Sequence, residues 1–378
     1  MGCYICGEMK YYLIAGERSG DLHGSNLIQA LKKRDSTAEF KGVGGDQMEL
    51  QGMHLTIPYT QLAFMGFWEV LVNLRSIKKY LDWTKKDLID YQPDVLILID
   101  YPGFNLKMAE FAHKNGIRVF YYISPKIWAW NTNRAYKIKK WVDRMFTILP
   151  FETSFYQQYE VEVDYVGNPV MDAITGYLFD SEFATKYGIV GEKSIAVLPG
   201  SRKQEVKAFV PQILDLAGSM SEYEFLVSQV DNIPSELYAP LNKKQNIKLI
   251  TGNTYDLLKN SAAAVVTSGT ATLETALLGV PQVVGYKMSG LTYFFAKRLV
   301  KVDHISLVNL ILKKEAVREL IQSDLNTPNL VAELKQLLEN KSYRSGVLKD
   351  YEKLKNKIGD QNASELAAEK MIQYLSKS

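Results

Sequence analysis

Asp94-Val95-Leu96-Ile97-Leu98-Ile99-Asp100-Tyr101-Pro102-Gly103-Phe104-Asn105 is an apolar run that stops at a carboxylate and then turns. Uninterrupted Val, Leu and Ile between two Asp predict a strand buried on both faces, the mark of a parallel sheet covered by helices. Asp100 then leaves the strand at its carboxyl end, the edge of an open α/β sheet beyond which ligands bind. Pro102 and Gly103 supply a turn, and Leu106, Ala109 and Ala112 recur at helical spacing behind it. Two readings of Asp100 stand side by side at this point: a cap for that helix or turn, and a general base.

At 378 residues the chain exceeds what one hydrophobic core usually serves, so two domains of similar size are expected. A hydrophobic content of 47% with 23% charged residues is that of an ordinary globular protein. The balance of 45 basic against 42 acidic residues, net +3, argues against a nucleic-acid binder. No apolar run reaches bilayer length and no signal-type segment is legible, so the expected location is the cytoplasm. Both cysteines fall in Cys3-Tyr4-Ile5-Cys6, half of a metal or redox pair without its other half. Residues 1–8 read as a disordered, dispensable leader, with Met9 as the start of folded structure.

The first half repeats strand, turn and helix. Tyr11-Tyr12-Leu13-Ile14-Ala15 runs into Gly16-Glu17-Arg18-Ser19-Gly20-Asp21-Leu22-His23-Gly24, a Gly-rich turn opening an apolar-periodic helix. Its spacing is not the dinucleotide fingerprint, yet Gly16 and Gly20 allow close approach of a ligand, and Glu17, Ser19, Asp21 and His23 bring polar groups to the rim. A purely structural turn with solvated charges fits the same residues. Phe40 to Gly45 predicts a second strand and Gly turn. The stretch Phe64-Met65-Gly66-Phe67-Trp68, continuing to Arg75, Lys78, Lys79, Lys85 and Lys86, fits either a membrane-interface segment or a buried helix with a solvated basic end. Strands are expected at 119–123, 146–149 and 165–166. Trp128 and Trp130, beside Arg134, Lys137, Lys139 and Lys140, suit a sugar-and-phosphate grip or a core and its rim equally well. The rhythm lapses from Leu178 to Lys193, where the interdomain linker is expected.

The second half restarts with Ile195-Ala196-Val197-Leu198-Pro199-Gly200-Ser201-Arg202. A Gly-Ser turn at a strand's carboxyl end offers backbone amides to a phosphate, and Arg202 adds a permanent charge. Ser201 and Gln204 also stand at capping-box spacing. Ala262 to Thr267 predicts a small-residue strand opening into Ser268-Gly269-Thr270, N–H and hydroxyl donors at a helix start, where a diphosphate is favoured. Glu274, one turn in, is placed to accept from ribose hydroxyls. Pro281 to Tyr286 is the last clear strand. Phosphate-type turns thus gather in the second half and carboxylate-bearing turns in the first, which suggests a nucleotide held by one domain and an acceptor by the other.

Gly16 to Asp21, Ile99 to Asn105, Ser124-Pro125-Lys126-Ile127-Trp128-Ala129-Trp130, Leu198 to Arg202, Thr267 to Glu274 and Ser306-Leu307-Val308-Asn309-Leu310 occur together and in order. In this combination the chain closely resembles the lipid-A-disaccharide synthase family over nearly its whole length. The resemblance implies an α/β, GT-B fold of two Rossmann-like doubly wound domains facing a central cleft. The expected division is 9–180 for the acceptor and membrane-facing domain and 190–345 for the UDP-sugar domain, with helices of 346–378 packing back on the first. It implies an inverting glycosyltransferase that needs no metal or other cofactor, acting on UDP-2,3-diacylglucosamine and 2,3-diacylglucosamine 1-phosphate, peripheral at the inner membrane and compatible with a homodimer. Carried over by position, Asp100 is the catalytic carboxylate, with Glu17 and His23 beside it. Gly16, Ser19, Gly200, Ser201, Arg202, Ser268, Gly269, Thr270, Glu274, Asn309 and Gln322 fall to substrate and UDP, and Phe64, Met65, Phe67 and Trp68 to membrane and acyl chains. Tyr101 and Gly103 depart from the Ala and Asp that relatives often carry, which bears on acceptor or acyl preference. The rivals are a peptidoglycan glucosaminyltransferase or UDP-N-acetylglucosamine 2-epimerase of the same fold, and a noncatalytic nucleotide- or lipid-binding module.

Overall fold

The computed structural model describes residues 8–62, 74–288, 293 and 302–376. Residues 1–7 of the expected leader and the interface candidates Phe64, Met65, Phe67 and Trp68 lie outside the described residues. The chain divides into two compact units, residues 1–172 with 360–378, and residues 173–359.

The first unit is built on seven parallel strands: β1 (Lys10–Ala15), β2 (Glu39–Gly44), β3 (His54–Pro58), β4 (Val95–Ile99), β5 (Arg118–Tyr122), β6 (Arg144–Thr147) and β7 (Val163–Tyr165). They lie in the order β3-β2-β1-β4-β5-β6-β7. Period-two alternation sorts their side chains onto two faces, both covered. Tyr11, Leu13 and Ala15 of β1 join Val95, Ile97 and Ile99 of β4 in one core cluster, while Tyr12 and Ile14 join Leu96 and Leu98 in the other. All of β4 is solvent-free, as its unbroken Val-Leu-Ile composition requires.

The second unit repeats the plan with β8 (Ser194–Leu198), β9 (Glu224–Gln229), β10 (Ile247–Thr251), β11 (Ala263–Thr267), β12 (Gln282–Tyr286) and β13 (Glu319–Ile321), in the order β10-β9-β8-β11-β12-β13. The short β13, pairing in parallel with β12, lies beyond the strand at 281–286 that closes the sequence reading. Three residues at a sheet edge carry too little alternation to be seen as a strand.

Three expectations about the boundaries change. The stretch 178–193 is not a linker: Phe183, in the helix Phe183–Tyr187, is fully buried in the core cluster of β8 and β11. Within 346–378, the helix Lys341–Ile358 stays with the second unit, burying Val347, Tyr351, Leu354 and Ile358 there. Only the last helix, Ala363–Ser376, joins the first unit, where Ala367, Ala368, Met371, Ile372 and Leu375 enter the core cluster of β1 and β4. Its start is fastened by Asp172, whose carboxylate accepts the Ala363 and Ser364 amides at 2.9 and 3.2 Å, and by Asn362 accepting from Glu365 N–H.

Candidate functional site

Each sheet reverses its strand order once, between β1 and β4 in the first unit and between β8 and β11 in the second. At such a point the flanking helices depart to opposite faces and leave a crevice beyond the strand ends. The turns there are Gly16-Glu17 after β1, Asp100-Tyr101 after β4, Gly200-Ser201-Arg202 after β8 and Ser268-Gly269-Thr270 after β11. The chain has placed its most distinctive polar turns at both reversal points and on both sides of each.

Asp100 and Tyr101 both adopt left-handed backbone, with φ of 44° and 47°. Two consecutive non-glycine residues in that region are costly, on the order of 1–3 kcal/mol each, and persist only where the surroundings over-determine them. Here they do. Buried Asn105 donates from Nδ2 to the Asp100 carbonyl at 2.8 Å and to that of Ile99 at 3.1 Å, and the Tyr121 hydroxyl donates to the Asp100 carbonyl at 2.5 Å. The Tyr101 hydroxyl donates to the Leu62 carbonyl at 2.7 Å. Its ring lies against Gly16, where an added Cβ would stand 2.3 Å from the nearest ring carbon, so only glycine fits. With its carbonyl held in this way, the turn fixes the direction in which the Asp100 side chain leaves the strand.

Burial raises the Asp100 carboxyl above the usual carboxylate range, while the Lys126 charge and the Tyr101 backbone N–H pull it partly back. Tyr101 is pushed up to about 12, by burial and then by the Glu17 charge, which puts Glu17 in the same electrostatic neighbourhood. Burial drives His23 down to about 4, so its imidazole is neutral at pH 7, and its Nδ1 has no hydrogen-bond partner among the described residues. Ser19 is exposed on the helix Arg18–Lys32. Asp21 is not at the rim: it is buried and accepts the amides of Gly45, Gln47 and Met48, holding the turn after β2. The two tryptophans divide. Trp128 is buried and donates from Nε1 to Glu152 at 3.1 Å, whereas Trp130 is exposed beneath the Arg134 guanidinium.

In the second unit the helix that starts behind β8 is capped one residue later than its sequence suggests. Glu205, not Gln204, folds back, and its Oε2 accepts the Ser201 and Arg202 amides at 3.1 and 3.2 Å. Gly200, at φ +109°, leaves room for that carboxylate; a Cβ there would sit 2.4 Å from it. The backbone donors expected for a phosphate are therefore engaged internally, while the exposed Arg202 guanidinium makes only a 3.4 Å contact with Glu205 Oε1. After β11, Ser268 donates its hydroxyl to the Ile305 carbonyl at 2.8 Å. Glu274 accepts from the Tyr255 hydroxyl at 2.9 Å, and burial raises its carboxyl above the ordinary range.

Asn309 and Gln322 have structural tasks. Asn309 is fully buried; its Oδ1 accepts the Ala316 and Val317 amides, and its Nδ2 donates to the Val317 carbonyl and to Glu319. Gln322 both accepts from and donates to the Met288 backbone, at 2.8 and 3.1 Å. In both, the side-chain amide clamps a loop through its hydrogen bonds to backbone. Glu319, which sequence reasoning missed, joins the clamp by accepting the Ile305 and Ser306 amides. Ile305 is the residue that receives the Ser268 hydroxyl, so the clamp ends at the turn after β11. Lys126, Tyr121 and Glu205 were missed likewise. Only Glu205 left a signal, a carboxylate three residues after the cap. Among the described residues no three His, Cys, Asp or Glu side chains gather as a metal site would need.

A glycosyltransferase-type α/β fold is what the two parallel sheets define, and comparison with solved structures agrees. UDP-GlcNAc 2-epimerase from Neisseria meningitidis bound to UDP-GlcNAc superposes with a TM-score of 0.68 at 16% identity, over 97% of this chain and 100% of that one. The glycotransferase of kitacinnamycin gives 0.68 at 13% identity, over 98% and 100%. At those identities the likeness concerns the GT-B fold alone. Sequence goes further. A model of the family described as lipid-A-disaccharide synthetase matches residues 11–371. The lipid-A-disaccharide synthase of Syntrophus aciditrophicus is 40% identical over 97% of this chain and 98% of its own length, and that of Geobacter sulfurreducens 35% identical over 97% and 98%. The chain belongs to the lipid-A-disaccharide synthase family, whose members are glycosyltransferases acting on UDP-sugars. The epimerase, peptidoglycan-transferase and noncatalytic readings give way to it.

Proposed function

We propose that this chain transfers 2,3-diacylglucosamine from UDP-2,3-diacylglucosamine to the 6-hydroxyl of 2,3-diacylglucosamine 1-phosphate, with inversion at the anomeric carbon. The observation that supports it best is the over-determined turn at β4, which holds a desolvated carboxylate at a strand-order reversal. In this reading Asp100 takes the proton of the 6-hydroxyl as its oxygen bonds to the anomeric carbon. The bond from that carbon to the diphosphate breaks, and UDP leaves with the electron pair. A carboxyl raised by burial is a stronger base than an exposed one, which suits an alcohol as proton donor. Glu17, whose charge acts on the neighbouring Tyr101, and His23 are assigned to the same reaction, and His23, neutral, can accept or donate a hydrogen bond without adding charge.

Arg202 and the donors of Gly269 and Thr270 would receive the charge that grows on the diphosphate, with Gly200 and Ser201 lining its approach and Glu274 facing the ribose, while Ser268, whose amide and hydroxyl go to the Gly285 and Ile305 carbonyls, holds the turn. Asn309, Gln322 and Glu319 act behind them by holding the loops that set the Ser268 turn. Incubating the purified protein with both acylated sugars tests the reading: a disaccharide 1-phosphate and UDP should appear in equal amounts. UDP without disaccharide, or neither product, would reject it.

Both substrates carry acyl chains, so the enzyme must meet a lipid surface, which we place on the first unit. The helix Leu74–Tyr91 leaves Arg75, Lys78, Lys79 and Lys86 exposed together with Trp83 and Ile89, a face that stays net basic beside the exposed Asp82 and Asp90 and suits anionic head groups. It continues the segment that contains Phe64, Met65, Phe67 and Trp68. Among the described residues no helix is long and apolar enough to cross a membrane. Sedimentation with vesicles of anionic phospholipid should fall when Lys78 and Lys79 become Glu; unchanged sedimentation would remove this face from the proposal.

A further inference from the structure

Two cations near Asp100 have no task in the reaction as written. Lys126 stands exposed on the turn after β5, and its charge acts on the Asp100 carboxyl. Arg134, half-buried, begins the helix Arg134–Trp141 and holds its guanidinium 4.8 Å from the centre of the Trp130 ring. Its charge also reaches the Tyr121 hydroxyl, the group that donates to the Asp100 carbonyl.

Neither side chain has a carboxylate partner or a hydrogen-bond acceptor among the described residues. Lys114 pairs with Glu110, Lys139 with Glu160 and Arg144 with Glu162, while Lys137 and Lys140 on the Arg134 helix also lack an ion pair among the described residues. What sets Lys126 and Arg134 apart is their action on Asp100 and on Tyr121, which holds its carbonyl. An Arg that has given up water on one face to an indole and gains no acceptor in return is set for an anion brought from outside. The electrostatics sharpen the point. A positive charge beside a general base lowers its pKa and weakens it, so Lys126 acts against Asp100 unless it serves the substrate.

We propose that Lys126 and Arg134 form the subsite for the phosphate monoester of the acceptor sugar. The inference rests on the proposed reaction and deepens it, by assigning the recognition of the acceptor's charge to particular residues. The anomeric phosphate leaves C1 and the 6-hydroxyl leaves C5 through C6, the two ring carbons that flank the ring oxygen, so both groups lie on one side of the sugar. An anchor for the first therefore belongs close to the base that acts on the second, where the Lys126 charge reaches the Asp100 carboxyl. Arg134 supplies a planar fork that matches two phosphate oxygens, and Lys126 a point charge. Trp130 keeps the fork flat and offers its rim to the sugar.

The test compares two acceptors, 2,3-diacylglucosamine 1-phosphate and the same lipid without its phosphate, each with saturating donor. Both use the same base, so any change that a substitution makes in Asp100 cancels in the ratio of their kcat/KM values. Lys126→Ala and Arg134→Ala should each shrink the wild-type preference for the phosphorylated acceptor by roughly tenfold to a hundredfold, the worth of a charge-assisted hydrogen bond. Arg134→Lys should keep part of it, and the KM of the donor should not move. Lys126 is exposed, so its variant reports even if Arg134→Ala fails to fold. A preference unchanged in Lys126→Ala and Arg134→Lys overturns the subsite. Absence of disaccharide from the wild-type protein would instead overturn the reaction itself.

Discussion

At the scale of single residues, the site sets side chains that do chemistry beside side chains that hold the backbone. Asp100 belongs to the first kind by its environment, and this has a consequence in pH. A general base works deprotonated, so activity falls as pH drops through its pKa. Because burial raises that pKa, the acid limb of kcat/KM should lie above the ordinary carboxylate range. Lys126→Ala removes a charge that lowers it, and the limb should move further up. A limb at the ordinary carboxylate position, or one indifferent to Lys126, contradicts the assignment. Asn309 belongs to the second kind. Replacing it with Ala strands the Val317 amide and carbonyl, leaves the Ala316 amide only the Lys314 carbonyl and takes a donor from Glu319, a loss of about 3 kcal/mol. Denaturant unfolding without UDP should show that loss as a lower midpoint. An unchanged midpoint with weakened UDP binding would return Asn309 to direct ligand contact.

At the scale of elements, the site is made of paired turns, and the first pair is locked by shape. Gly16 exists as glycine because the Tyr101 ring occupies the place of its side chain. Gly16→Ala should therefore displace the Asp100 turn and lower turnover, and Tyr101→Ala in the same chain should restore much of it. Equal damage in the single and double variants would show that the two turns do not share that contact. This contact also marks the limit of what the sequence discloses. The strand 95–99 and the turns at 16, 100, 200 and 268 are legible because hydrophobic runs and Gly-containing turns are local signals. The clamps of Asn309, Gln322 and Glu319 and the Arg134 stacking on Trp130 are not. A side-chain amide reads alike whether it meets a ligand or a backbone. Only the turn at 316–317 and Glu319 of β13, brought against the helix, show that Asn309 has its hydrogen bonds filled.

At the scale of the whole molecule, two units reverse their strand order in the same way, and the proposed reaction divides between them, the base at the first reversal point and the diphosphate at the second. The first unit is discontinuous: its chain leaves after Asp172 and returns at Asp360, with Asp172 itself capping the returning helix. Deleting residues 360–378 would uncover the core around Leu27, Ile28 and Leu31, and the shortened protein should lose its cooperative unfolding transition and aggregate. A soluble truncated chain with a wild-type transition would mean that the last helix adds nothing to that core. The division of labour is tested most directly by Asp100→Ala, assayed for disaccharide formation and, by calorimetry, for UDP binding. The account predicts UDP bound at the wild-type Kd while turnover falls by roughly a hundredfold to ten-thousandfold. Turnover at the wild-type rate, or a loss of UDP binding equal to the loss of turnover, would contradict it.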